Sequence, residues 1–356
     1  MANKKRAGSG ETPLKLIPLC ILHVLEEFAS ADKPMNEAGI LRQLGKAYGL
    51  TLDRKTVSNN LKMLADFDQR IGQLTKPRSD GKGGQQEVST GWYCDSYFET
   101  AELRYLADAL ICDDRIPQKQ RRDLFEKLQG LGGGQKLTGL RDIYGARPKA
   151  LANKQIFFTI DVLAEALSKG YCVQFRLGAR DLQGKLTYSL ERGGDKFYVV
   201  EPLFLAVSNG RYYLVASYPE CEKKYHFRVD LMLEANMCKD KKGKEVPASR
   251  YALKKPEVQT YISEHLYMYT DAAQKIVFRI SDESVARHQV FDYFGTSASM
   301  QSSKDAPGHI DVAVSANLTA MRYWALQFSD MVEVLSPKNL RDDICAAAQA
   351  IVDKYK

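Results

Sequence analysis

The stretch KFYVVEPLFLAVSNGRYYLVASYPECEKKYHFRVD, residues 196–230, predicts three consecutive strands of a small antiparallel sheet. Apolar and aromatic residues fill 196–207 and 211–217, and the Ser-Asn-Gly sequence at 208–210 is typical of a tight turn. A third strand is expected at 225–231. The polar and aromatic side chains on these strands are Tyr198, Arg211, Tyr212, Tyr213, Tyr225, His226 and Arg228. Alternation brings some of them to the same face, where rings interleaved with cations suit stacking on bases and pairing with phosphates.

This stretch resembles the core of the WYL domain, a sensor found in bacterial transcriptional regulators and named after a Trp-Tyr-Leu signature. The signature falls on Tyr-Tyr-Leu at 212–214, and the family's aromatic-Arg-Leu-Asp-Arg pattern falls on Phe-Arg-Val-Asp-Leu at 227–231. Two positions depart from the pattern. Tyr212 in place of Trp keeps an aromatic face, whereas Leu231 in place of the second Arg removes one cation.

The resemblance implies a module that binds an effector, which we expect to be a single-stranded nucleic acid or a nucleotide. The candidate effector-binding residues are Arg176, Tyr198, Arg211, Tyr212, Tyr213, His226 and Arg228. Each also has a structural interpretation: a sheet tyrosine is usually half-buried packing, and Arg228 can pair with Asp230 or Asp181. Arg176 either faces the ligand or lies exposed on an edge strand. Taken as a cluster, the residues favour a ligand pocket.

Composition limits the classes of protein that the chain can belong to. With 356 residues and 44% hydrophobic residues, it can form two or three compact domains. It has no run of about eighteen apolar residues and no secretory signal, so we expect a cytoplasmic protein. The seven cysteines are scattered and never spaced as CxxC, which disfavours a zinc site or a disulfide framework. A net charge of +7 is compatible with a polyanionic partner without requiring one.

The N-terminal region predicts three helices in the order of a helix-turn-helix. Asn36 is a suitable cap for the second helix and Gly49 a suitable stop. Asp53 is a suitable cap for the third, at 54–66, whose apolar positions recur at helical spacing. Candidate DNA contacts on this third helix are Lys55, Ser58, Asn59 and Lys62, with Arg54 and Thr56 nearer the buried edge. A plain surface helix of a three-helix bundle is the alternative.

A predicted hairpin at 71–94 follows the third helix, and a long basic hairpin in this place is typical of a wing. Lys76, Arg78 and Lys82 would lie where a duplex backbone passes, and each phosphate contact should steepen the salt dependence of binding. A solvated loop is the alternative interpretation.

The pattern along the chain predicts an α+β protein with several domains. The expected order is a winged helix-turn-helix at 1–94, a helical linker at 95–152, a WYL sensor at 153–247, a connector at 248–273 and a C-terminal extension at 274–356. The resemblance implies that the sensor is a small Sm-like antiparallel sheet or barrel. The last region reads β-α-β-α-β-α and predicts a small α/β domain. Its segment VEVLSPKNLRDDI, residues 332–344, resembles the extension of WYL regulators and implies a role in dimerisation.

The leading hypothesis is a homodimeric bacterial DNA-binding regulator without a cofactor or metal, whose WYL domain senses the effector and alters operator binding. The alternative hypothesis is an accessory protein that binds single-stranded nucleic acid. A nucleic-acid-processing enzyme is disfavoured because the sequence shows no paired carboxylates, nucleophile elbow or P-loop.

Overall fold

The computed structural model describes residues 14–79, 85–113, 116–131, 153–189, 196–249 and 255–356. It divides into two compact units, Met1–Ala150 and Leu151–Lys356. Helices and antiparallel sheets occur in both, which confirms the predicted α+β class.

The first unit has three helices followed by a hairpin and two more helices. The elements are α1 (Ile17–Phe28), α2 (Glu37–Tyr48), α3 (Arg54–Phe67), β1 (Ile71–Ser79), β2 (Gln85–Cys94), α4 (Thr100–Cys112) and α5 (Gln118–Leu131). The core between α1, α2 and α3 contains Ile21, Leu25, Leu44 and Leu61, each fully buried. Trp92 of β2 is part of the same core, so the hairpin is fixed to the helices by packing.

The ends of α2 and α3 follow the signals in the sequence. The Asn36 side chain accepts a hydrogen bond from the Gly39 amide at 2.8 Å, and Gly49 adopts a left-handed conformation with φ 68°. The Asp53 carboxylate accepts hydrogen bonds from the Thr56 amide at 2.8 Å and from the Thr56 hydroxyl at 2.6 Å. These bonds from Thr56, of which the hydroxyl's is the largest cause, lower the pKa of Asp53.

The second unit begins with a helix and a six-stranded antiparallel sheet. The elements are α6 (Ile156–Lys169), β3 (Val173–Arg180), β4 (Leu186–Tyr188), β5 (Tyr198–Ser208), β6 (Arg211–Ser217), β7 (Lys224–Arg228) and β8 (Met232–Met237). The strand order is β4-β3-β5-β6-β7, and β8 returns to pair with β3. Strand β7 lies at one end of this order, and a single 3-10 turn joins it to β8, which pairs with β3 near the other end. The sheet therefore curls around its core.

The third strand predicted within residues 196–230 is shorter than expected. It ends at Arg228, and Val229–Leu231 forms the 3-10 turn instead of continuing the strand. Val229 is fully buried, and the Asp230 carboxylate accepts two hydrogen bonds from the Arg228 guanidinium. These contacts fix the turn that ends the strand. The sequence reasoning also missed β8.

The remainder of the second unit is a connecting helix followed by a second antiparallel sheet. The elements are α7 (Lys255–Glu264), β9 (Ala273–Ser281), α8 (Ser284–Phe294), β10 (Ser299–Ser302), β11 (His309–Asn317), α9 (Leu318–Gln327), β12 (Val332–Ser336) and α10 (Lys338–Tyr355). The strand order is β10-β11-β9-β12, which is the split β-α-β arrangement of ferredoxin-like domains. The predicted β-α-β-α-β-α order lacked one strand: the structure adds β10, a short strand on the edge of the sheet that pairs with β11. Phe278 and Trp324 are fully buried at the centre of this core.

Candidate nucleic-acid interfaces

Helix α3 presents a polar stripe on the side opposite its buried residues. Val57 and Leu61 are fully buried against α1 and α2. Lys55, Asn59 and Lys62 are exposed and recur at i, i+4 and i+7, so they lie along one face. The stripe begins in the first turn, which is the part of a recognition helix that contacts base edges.

Two of the other α3 candidates, Arg54 and Thr56, are engaged within the unit. Arg54 donates from Nε to the Glu37 carboxylate of α2, and this hydrogen bond raises the pKa of Arg54. Thr56 is half-buried and bonded to Asp53 at the helix cap, whereas Ser58 is half-buried beside the stripe. Arg54 and Thr56 therefore hold the helix in place.

The β1–β2 hairpin carries its cations on one face. Lys76 and Arg78 are exposed and two residues apart on β1, so they point to the same side. Glu87 is opposite Pro77 in the ladder and so lies on the other side. Lys82, the third predicted wing contact, is outside the described residues. Within the part of the chain that the structure describes, no ion pair involves Lys55, Lys62, Lys76 or Arg78.

The predicted effector residues are divided between the two faces of the curled sheet, and Arg176 lies apart from the others on β3. Tyr198 stacks on Phe175 with ring centroids 5.9 Å apart and contacts Phe227 edge-on at 6.0 Å. Tyr212 packs against the same core. Both side chains therefore belong to the packing between the sheet and α6.

Tyr213, His226 and Arg228 lie on the opposite face. Tyr213 and Arg228 are directly opposed in the β6–β7 ladder, and Arg211 shares their face because it lies two residues before Tyr213. The Arg228 guanidinium donates to both carboxylate oxygens of Asp230, at 3.1 and 2.7 Å, and these bonds raise the pKa of Arg228. The pairing with Asp230 that the sequence offered as an alternative is thus present, while the Arg228 side chain keeps 33% of its exposure.

His226 is tied to the connecting segment by both ring nitrogens. Its Nδ1 lies 2.8 Å from the Met268 carbonyl oxygen, and its Nε2 lies 2.8 Å from the Tyr261 hydroxyl of α7. Because a carbonyl can only accept, Nδ1 carries the proton and Nε2 accepts from Tyr261. Burial lowers the pKa of His226, which favours this neutral form. His226 therefore fastens α7 to the sheet.

Arg176 lies on β3, which pairs with β4, β5 and β8 and is therefore not the edge strand that the sequence offered as an alternative; its partners are its own. It forms an ion pair with Glu234 of β8 at 3.2 Å. Its guanidinium lies 4.4 Å from the Phe197 ring centroid and 5.1 Å from that of Tyr188. None of these partners contacts Tyr213, His226 or Arg228 among the described hydrogen bonds and ring contacts.

The sequence did not predict that the connecting segment, α7 and the turn that follows it (255–268), would contact the sensor sheet. Tyr261 and His265 stack with ring centroids 3.8 Å apart, and His265 is 6% exposed. Val258, Tyr261 and Met268 cover one face of the β5–β6 ladder. A Tyr and a His four residues apart on a predicted helix was the available signal, since such residues share a helix face.

Within the described ranges, no group of three or more His, Cys, Asp or Glu side chains could hold a metal ion. No helix among those residues is long and apolar enough to cross a membrane.

Comparison with known proteins identifies two domains. Residues 159–237 match the family model of the WYL domain, and residues 272–352 match that of the WCX domain. Among solved structures, the proteasome accessory factor B/C (PafBC) of Arthrobacter aurescens matches at 14% identity and a TM-score of 0.25, over 98% of this chain and 51% of that chain. A CRISPR Cas-related protein matches at 13% identity and a TM-score of 0.37, over 98% of this chain and 88% of the other. The chain thus spans about half the length of the PafBC chain that it matches. No curated protein matches.

Proposed function

Because this chain carries a WYL domain followed by a WCX domain, as the resemblance predicted, we propose that it is a DNA-binding transcriptional regulator with a sensor of its own. The observation that carries the proposal is the exposed stripe of Lys55, Asn59 and Lys62 on α3, in a unit whose hairpin carries Lys76 and Arg78. Helices α1–α3 and the hairpin occur in the order of a winged helix-turn-helix.

In this proposal α3 enters the major groove by its first turns. The Asn59 amide can bond adenine in a bidentate manner, and Lys55 and Lys62 can reach guanine or phosphate. Lys76 and Arg78 follow the phosphate backbone, which positions the protein without reading the sequence. A homodimer would place two such helices on half-sites about one helical turn apart.

The effector site in this proposal is the edge of the WYL sheet formed by Arg211, Tyr213 and Arg228. Tyr213 has Arg228 directly opposite it and Arg211 two residues before it on the same face. A ring and cations on one face suit a nucleotide, because the ring stacks on a base and the cations pair with phosphate. The effector can alter operator binding only if it prefers one arrangement of the protein, since equal affinity for both shifts nothing. The proposed role is that of a binding protein and not of an enzyme.

Selection of bound duplexes from a random pool tests the DNA-binding proposal. We expect one enriched sequence, and the Lys55→Ala/Asn59→Ala/Lys62→Ala variant should lose the preference for it while keeping its thermal unfolding temperature. The matched control is Lys241→Ala/Lys242→Ala, two exposed residues of the sensor unit. Undiminished binding of the selected duplex by the triple variant would refute the assignment of α3. Tight single-strand binding with no preferred duplex would instead support the accessory-protein reading.

A further inference from the structure

A second group of tyrosine and arginine side chains lies outside the WYL signature. Tyr269 follows α7, and Arg322 and Tyr323 lie on α9 of the WCX domain. The rings of Tyr269 and Tyr323 are stacked, with centroids 5.8 Å apart and planes 19° from parallel. The Arg322 guanidinium lies 5.0 Å from the Tyr323 ring centroid and donates to the Tyr323 hydroxyl at 3.3 Å.

This group remains open to solvent and is not required by the core. Tyr269 is 39% exposed and Tyr323 46% exposed, whereas the neighbouring Trp324 is fully buried and fills the core on the other side of α9. An exposed pair of stacked rings beside a guanidinium offers a stacking surface and a cation at once.

The charge of Arg322 is not neutralised within the described part of the chain. No ion pair of Arg322 is found there, and its buried Nε has no hydrogen-bond partner. Asp271, which like Arg322 lies within electrostatic reach of Tyr269, accepts a hydrogen bond from the Thr319 amide at 3.0 Å and forms no described ion pair with Arg322. An anion at Arg322 would therefore meet a guanidinium that no described carboxylate pairs with.

The group continues the proposed effector edge of the WYL sheet. Tyr213 packs against the buried cluster that contains Met268, the residue directly before Tyr269. Burial raises the pKa of Tyr269 most, and the nearby Tyr323 and Tyr213 raise it further, in agreement with this proximity. Tyr213 in turn is directly opposite Arg228. Rings and guanidinium groups thus follow one another from the WYL sheet to α9.

We propose that Tyr269, Arg322 and Tyr323 bind a second nucleotide of a single-stranded nucleic acid whose first nucleotide lies at Tyr213 and Arg228. The inference rests on the proposed effector site and extends it across the boundary between the WYL and WCX domains. One mononucleotide occupies only one half of such a surface. The effector class is therefore a single-stranded oligonucleotide.

Fluorescence anisotropy with labelled hexathymidylate and the full-length protein tests this inference. All proteins carry Lys55→Ala/Asn59→Ala/Lys62→Ala, so that the stripe on α3 does not contribute. Tyr323→Ala and Arg322→Gln should each weaken hexamer binding about tenfold, because each removes a stacking surface or a phosphate contact. The inhibition constant of thymidine monophosphate, which needs only the WYL half, should be unchanged in both variants.

Two controls separate these residues from general effects. Tyr323→Phe keeps the ring and should retain hexamer binding, and Lys338→Gln removes an exposed charge from the same domain and should have no effect. Thermal unfolding shows whether each variant folds, and Arg322→Lys, which keeps the cation, provides a milder change at the same position.

The outcomes distinguish this inference from the proposed function. If Arg228→Ala weakens hexamer binding and the α9 variants do not, the WYL effector site stands and the extension onto α9 is refuted. If the protein without α9 substitutions binds neither hexathymidylate nor thymidine monophosphate, the proposed effector class itself is refuted. Loss of hexamer binding in both sets of variants supports the extended site.

Discussion

Removal of the two hairpin cations tests whether this strand follows a DNA backbone. In the Lys76→Gln/Arg78→Gln variant both side chains remain polar but lose their charge. Both are exposed on one face of β1 and have no described ion-pair partner, so the substitutions should leave the fold intact. The measured quantity is the affinity for a 30-base-pair random duplex, because phosphate contacts do not depend on sequence.

The size of the expected change follows from counterion release. Each neutralised phosphate contributes about 0.9 to the slope of log affinity against log salt, so two contacts should reduce the slope by about 1.8 per protomer. Between 50 and 200 mM salt, the variant should therefore lose about 12-fold less affinity than the unmodified protein. A dimer with both hairpins on one duplex would double the change in slope.

Filter binding or fluorescence anisotropy at four or more salt concentrations gives these slopes. The control is Lys241→Gln/Lys242→Gln, which changes the net charge equally in a loop of the second unit. We expect the control slope to equal that of the unmodified protein. A slope change below about 0.5 in the hairpin variant would show that these cations do not meet phosphates.

Three further predictions concern stability. Asn36→Ala removes the cap that accepts the Gly39 amide and should lower the free energy of unfolding by about 1 kcal/mol in urea titration, with Asn36→Asp near the original value. Burial depresses the pKa of His226 in the folded protein, so the unfolded chain takes the proton first; the contribution of His226 to stability should be complete above pH 6.5 and fall below it by at most about 1.4 kcal/mol per pH unit. Burial lowers the pKa of His265 as well, so the stability of His226→Gln should still fall below pH 6.5, but less steeply than that of the unmodified protein. Phe278→Ala empties a fully buried site of the WCX core and should cost about 3–5 kcal/mol in the same titration, whereas Phe291→Ala, an exposed position on α8, should cost much less.

The sequence identified elements well where a local signal sets their limits. Asn36, Gly49 and Asp53 occur at the positions that caps and left-handed stops require, and the observed ends of α2 and α3 agree with them to within a residue or two. These signals act between residues three or four apart, so no knowledge of the tertiary structure was needed.

Strands without such signals were missed. Strand β10 has the sequence SMQS, is mostly exposed, and exists because its backbone pairs with β11. Strand β8 has the sequence MLEANM, in which Glu234 has a positive φ of 53° and interrupts the alternation. Its pairing partner β3 lies about sixty residues earlier, and a window along the chain cannot reveal such a contact.

The sensor residues show the same limit at the level of function. The sequence grouped Tyr212 and Tyr213 in one cluster, whereas the structure places them on opposite faces of the sheet. Alternation along a strand also cannot say what covers each face. Helix α7 covers the His226 end of one face, because its Tyr261 hydroxyl is bonded to the imidazole. Tyr, His and Arg side chains can bind nucleotides or pack inside the protein. Which of these each side chain does depends on whether the connecting segment covers it, and that segment is distant in the sequence.

The position of α7 therefore narrows where a ligand can act. One end of the face is closed by His226 and Tyr261, while Arg228 keeps a third of its exposure at the other end. After α7 the chain passes through Tyr267 and Met268, two successive residues with positive φ values of 57° and 56°. Non-glycine residues adopt this conformation only when their surroundings impose it, and the Met268 carbonyl is held by His226. An oligonucleotide that engaged Arg228 and Tyr269 together would contact the residue that follows this constrained segment and the strand that holds the segment through His226. We therefore expect effector binding to change the conformation of the segment that links the sensor sheet to the WCX domain.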